Sequence, residues 1–136
     1  MSSKPRYLFV YGTLMREFDN PFSSILRAGS EFAGEGSFLG KLYRVDWFPG
    51  AVYLPEEKSC VWGEIYQVFD FEKLILELDE YEEVLDDEAA SLYLRRQVPV
   101  QLADGHQLVC WTYLYNQPTG NLPVVEEGRF TKQSGY

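Results

Sequence analysis

The chain has 136 residues, 46% hydrophobic and 16% aromatic, which suits one folded domain over 1–136 and argues against disorder. A formal net charge of −9 disfavours nucleic acid and anionic membranes as partners, but not a small anionic substrate, because local donors decide that. No basic leader runs into a long apolar stretch, so neither a signal peptide nor a membrane span is expected, and the chain reads as cytoplasmic.

Tyr7 to Tyr11 is uncharged and apolar on both alternating faces, the pattern of a first strand buried on both sides. Gly12 ends it, and Thr13 and Leu14 follow with free backbone N–H groups. Such a break is either a tight turn after a core strand or a cradle for a carboxylate or carbonyl oxygen. Asn20-Pro21 marks a helix start, with Ile25 and Leu26 as its buried residues. Gly29, Gly34, Gly36 and Gly40 read as loop leading into a strand from Phe38 to Val45. Trp47 to Gly50 reads as an aromatic turn, Ala51 to Leu54 as extended chain, and Pro55 to Lys58 as an exposed connection.

Cys60 to Val68 alternates, with Cys60, Trp62, Glu64, Tyr66 and Val68 as the mostly apolar set and Glu64 as its exception. Asp70 caps a helix whose core stripe is Phe71, Leu74, Ile75 and Leu78. Asp86 to Glu88 reads as an acidic, mobile loop. Tyr93 to Leu102 and Gln107 to Tyr115 form a hairpin around Asp104-Gly105, and the tail from Asn116 lies over the surface without regular structure. The predicted class is α+β: a largely β, barrel-like sheet with two short helices.

Several chemistries lack their residues. There is no Cys-x-x-Cys, no His-Glu-x-x-His, no P-loop and no calcium-loop pattern. The single histidine, His106, falls beside the hairpin turn. Cys60 and Cys110 read as small core residues in a reducing compartment, with a cross-strand disulfide as the alternative.

Carboxylates remain. Glu77, Asp79, Glu80, Glu82 and Glu83 crowd one helix end. At about 100° per residue, Ile75, Leu78 and Glu82 share a face if the helix continues that far. Glu77, Glu80 and Glu83 then point away, and Asp79 lies at the stripe's edge. A desolvated Glu82 has a raised pKa and suits proton transfer; equally, it could be half of a buried ion pair with Arg95 or Arg96.

Tyr11-Gly12-Thr13-Leu14 after an N-terminal strand resembles the signature of the γ-glutamyl cyclotransferase-like proteins. Gly40-Lys41-Leu42-Tyr43, Phe48-Pro49-Gly50-Ala51, Val61 to Tyr66, Leu78-Asp79-Glu80-Tyr81-Glu82, Tyr93-Leu94-Arg95 and Trp111 to Tyr115 resemble later segments of that family in order. The similar subgroup includes γ-glutamylamine cyclotransferase.

The resemblance implies a small mixed β-barrel with flanking short helices and a site where the Tyr-Gly-Thr-Leu turn meets Glu82. It implies that Tyr11, Gly12, Thr13, Leu14, Met15 and Arg16 bind a γ-glutamyl substrate. It further implies that Glu82 shuttles a proton while 5-oxoproline is released, with no metal or cofactor. The family often has glycine where this chain has Glu83, and the acidic segment Val84 to Ser91 is positioned to reshape the pocket mouth. The rival functions are another amide-cleaving acyl transfer using the same glutamate and a non-catalytic module binding a metabolite or protein.

Overall fold

In a computed structural model of the chain, residues 6–16, 18–45 and 48–131 are described. The elements in order are β1 (Arg6–Val10), α1 (Pro21–Ala28), β2 (Ser30–Arg44), β3 (Pro49–Tyr53), β4 (Cys60–Val68), α2 (Phe71–Tyr81), β5 (Tyr93–Leu102) and β6 (Gln107–Tyr115). β1 lies between β4, antiparallel to it, and β6, parallel to it. β4 pairs antiparallel with β2, and β5 with β6. Two further pairs, Gly36 with Leu102 and Ser37 with Gln101, join β2 to β5 and close the ring β2-β4-β1-β6-β5. The result is a mixed, closed five-stranded barrel flanked by two short helices, with β3 added outside the ring on the second half of β2. Closure satisfies the backbone groups that an open sheet would leave at its edges.

β1 is the buried centre. Leu8 and Phe9 are fully buried and Val10 nearly so, as a run apolar on both faces requires. α1 begins with a capping box: the Asn20 side chain accepts from the N–H groups of Phe22 and Ser23, and the Ser23 hydroxyl accepts from the Asn20 N–H. Leu26 is buried and Ile25 half-buried. α2 buries Phe71, Leu74, Ile75 and Leu78.

Three expectations are corrected. The glycine-rich stretch from residue 30 is the first half of β2, not a loop. A Cβ at residue 36 would stand 2.8 Å from the Gln101 carbonyl oxygen, so glycine is what allows the two strands to close the barrel. Pro49 and Gly50 pair with Arg44 and Tyr43 as the start of β3 and are not a turn; the preceding Trp47 lies outside the described residues. In β4, Val61, Gly63 and Ile65 of the other set are buried, while Trp62 is exposed. Glu64, Tyr66 and Val68 are buried with the set they were expected in, so β4 is buried on both faces along most of its length rather than half-buried.

The acidic segment is tied down by hydrogen bonds. Glu88–Ala90 form one 3-10 turn, the Leu85 N–H donates to the Ser91 hydroxyl at 2.8 Å, and Asn116 Nδ2 donates to the Glu88 carbonyl at 2.7 Å. Through residue 131 the tail forms no regular strand, but it bridges Tyr43 through Val124 and buries Phe130 against Phe18. Cys60 and Cys110 are both free thiols. Burial pushes the Cys110 thiol up to about 12.

Candidate active site

The end of β1 is pinned before its chain turns. The buried Tyr11 hydroxyl donates to the Tyr113 carbonyl on β6 and accepts from the Ala51 N–H on β3 at 3.1 Å. The turn that follows closes with Met15 N–H to the Gly12 carbonyl at 3.1 Å. Its position is set from two sides. Asn20, the cap of α1, donates from Nδ2 to the Thr13 carbonyl at 2.9 Å, and the Thr13 hydroxyl meets the Tyr81 hydroxyl of α2 at 2.5 Å. The N–H groups of Gly12, Thr13 and Leu14 donate to no acceptor among the described residues.

Glu82 arrives from the other side. α2 stops at Tyr81 and Glu82 caps it, so the helix does not continue through this residue. The chain then reverses in a Schellman motif: Glu83 N–H donates to the Glu80 carbonyl at 3.2 Å and Val84 N–H to the Asp79 carbonyl at 2.9 Å. Glu83 occupies the left-handed position of that motif, at φ 56°, where glycine is favoured. Glu83 is exposed, as its place off the apolar stripe predicts, yet it lines the same cavity as Glu82.

The two sides meet in one cavity. It encloses about 650 Å³, its open mouth included, and is lined by Tyr11, Gly12, Thr13 and Leu14 together with Glu82 and Glu83. Phe48, Pro49, Tyr81, Leu92, Tyr93 and Tyr113 complete most of its wall. Met15 and Arg16 do not line it. Met15 borders a second hollow beside Gly63 and Phe130, and Arg16 is committed to Glu64.

The Glu82 carboxyl has no hydrogen bond or ion pair among the described residues. The ion-pair alternative therefore fails. Arg95 instead forms a bidentate pair with Asp79, both contacts at 2.9 Å, and Arg96 pairs with Glu88. The Tyr113 hydroxyl adds a bond to Asp79 Oδ1 at 2.7 Å. Left without a cation, the Glu82 carboxyl is pushed up to about 8, first by desolvation and then by the charges of Asp79 and Glu83. Such a group exchanges its proton readily near neutrality.

Apart from Tyr11, the tyrosines of the wall were not among the expected site residues. Burial raises the pKa of Tyr11, Tyr81, Tyr93 and Tyr113, so these hydroxyls stay protonated as donors. The Tyr93 hydroxyl is already spent on the Pro49 carbonyl. The available signal was strand parity: Tyr93 and Tyr113 are both buried in the β5–β6 hairpin, where Tyr113 stands opposite Arg95. Among the described residues no group of three or more potential metal ligands occurs.

The family model described as gamma-glutamyl cyclotransferase, AIG2-like, matches residues 8–132. The chain belongs to this family. Within the γ-glutamyl cyclotransferase relatives, it is 30% identical over 124 residues to a gamma-glutamylaminecyclotransferase of Mus musculus, covering 79% of this chain and 76% of that one. It is 30% identical over 131 residues to a putative gamma-glutamylcyclotransferase of Methanocaldococcus jannaschii, covering 95% and 98%. The crystal structure of a mouse AIG2-like protein superposes with a TM-score of 0.73 at 26% identity, covering 95% of this chain and 90% of that one. The solution structure of Escherichia coli ytfP gives a TM-score of 0.64 at 26% identity, covering 93% and 97%. The γ-glutamyl cyclotransferase fold thus spans nearly the whole chain.

Proposed function

We propose that this chain cyclises a γ-glutamyl amine or peptide to 5-oxoproline and a free amine, with Glu82 as the general acid and base. The observation that carries this reading is an unpaired, desolvated carboxyl in the same cavity as the unused N–H groups of Gly12, Thr13 and Leu14. Those donors hold the γ-glutamyl moiety and stabilise the oxyanion that develops on its γ-carbonyl. The α-amine nitrogen attacks the γ-carbonyl carbon, and Glu82 takes a proton from that nitrogen. The amide C–N bond then breaks, and the same carboxyl returns the proton to the departing amine nitrogen.

No water is consumed, nothing is oxidised or reduced, and the step asks for neither metal nor cofactor. Proton transfer from a positioned group contributes about 10²–10⁴-fold. Each well-placed oxyanion donor contributes about 10²–10³-fold. The test is a panel of γ-glutamyl amines and dipeptides assayed for 5-oxoproline. Release from at least one of them supports the reading. A folded protein that releases none from the panel overturns it.

A further inference from the structure

Among the described residues that line the cavity, Glu82 and Glu83 are the only acids, and no lysine, arginine or histidine is there. The arginines of β5 are committed elsewhere, Arg95 to Asp79 and Arg96 to Glu88. Glu83 differs from Glu82 in being exposed, so it stands where the cavity meets solvent. Its side chain has no hydrogen bond or ion pair among the described residues. Its backbone is held at both ends: its N–H donates to the Glu80 carbonyl at 3.2 Å, and its carbonyl accepts from Leu92 N–H, also at 3.2 Å. The backbone thus fixes where this uncompensated negative charge enters the mouth, and the side chain itself is free to reach a ligand there.

On the cyclotransferase reading, a γ-glutamyl substrate held by the Gly12–Leu14 donors with its amide at Glu82 would send its leaving amine toward the mouth, where the exposed Glu83 lines the cavity. We propose that Glu83 is a specificity-determining residue: it favours leaving amines that carry a second positive charge, of the diamine and polyamine class, over leaving amines that carry a carboxylate. This rests on the cyclotransferase reading above. A carboxylate placed there meets two acidic side chains and no lining cation, whereas an ammonium group gains an open partner. One partly screened charge contact is worth up to about fivefold in discrimination, and salt weakens it.

The experiment uses three γ-glutamyl amides of matched length, made from a diaminobutane, from pentylamine and from an aminobutanoate. Their kcat/KM values are measured at low and high salt for the parent, Glu83→Gln and Glu83→Lys. Their affinities for Glu82→Gln, with and without Glu83→Lys, are measured by calorimetry. The parent should prefer the cationic amide over the anionic one by about fivefold, Glu83→Gln should flatten that ratio, and Glu83→Lys should reverse it. If Glu83→Lys does not fold, Glu83→Gly carries the same comparison.

Cyclisation of all three amides at equal kcat/KM, or a preference that survives the Glu83 variants, overturns the role of Glu83 and leaves the cyclotransferase reading standing. No cyclisation, with charge-ordered binding that follows Glu83, overturns the reaction and supports the charge selectivity. Neither turnover nor binding overturns both.

Discussion

Arg95 pairs with Asp79 and leaves Glu82 without a cation. Both oxygens of Asp79 are used, by Nε and by an Nη of Arg95, and Tyr113 takes the remaining contact. Had Arg95 reached Glu82, the carboxyl would be held ionised well below neutrality. Asp79 also acts on Glu82 as a like charge. Asp79→Asn should therefore lower the pKa of Glu82, both by removing that charge and by freeing Arg95. The acidic limb of kcat/KM against pH should move to lower pH. A limb that stays in place or moves up would show that Asp79 does not act on Glu82.

Glu64 holds the binding turn from behind. One oxygen accepts from the Arg16 backbone N–H at 2.8 Å and from the Tyr66 hydroxyl at 2.9 Å; the other accepts from Arg16 Nε at 3.1 Å. The Arg16 guanidinium lies 3.9 Å from the centroid of the Phe32 ring. Glu64→Ala strands the buried Tyr66 hydroxyl and releases the half-exposed Arg16 to solvent, and should cost about 1–2 kcal/mol. Glu64→Gln keeps an acceptor and should cost about half of that. Urea unfolding measures both, and a loss below about 0.5 kcal/mol for alanine would contradict the assignment.

Glu83 carries a conformational cost as well as a charge. At φ 56° an L residue is disfavoured by about 1 kcal/mol or more, and glycine relieves this while adding entropy to the unfolded chain. Glu83→Gly should raise stability by about 0.5 kcal/mol net. A lower melting temperature in this variant would mean that the side chain has a stabilising role.

The pH dependence of stability isolates Glu82. Its carboxyl lies at about 8 in the folded chain against an ordinary 4.5. Between those values the folded state keeps a proton that the unfolded state has released. The stabilisation is thus full below about pH 4.5 and is lost as pH rises through about 8, with a slope of at most about 1.4 kcal/mol per pH unit. Unfolding at pH 6 and pH 8 should show the parent losing more stability than Glu82→Gln. Parallel losses would contradict the raised pKa.

Much of the barrel was legible because period and punctuation agreed. β5 and β6 have their expected bounds, since Asp104-Gly105 fixes the turn and the flanking runs are rich in β formers. The first half of β2 was hidden because its glycines serve strand closure, and a single chain does not show what its strands approach. Glu82 was legible from Leu78 and Ile75, although the helix ends one residue before it. That Glu83 lines the same cavity was not, because the helical period ceases to hold once the Schellman motif reverses the chain. The Arg95–Asp79 pair was also out of reach, since both Arg95 and Arg96 follow the helix and only packing selects which acid each one meets.

The most direct measurement is turnover and stability of Glu82→Gln together, on a γ-glutamyl amide that the parent cyclises, with the exposed Glu80→Gln as control. Glutamine keeps the volume and removes the proton. With no cation to strand, Glu82→Gln should be at least as stable as the parent at pH 8, bind the amide, and release 5-oxoproline at least about 10²-fold more slowly. Glu80→Gln should change neither quantity. A folded Glu82→Gln protein that cyclises the amide at the parent rate would contradict the account.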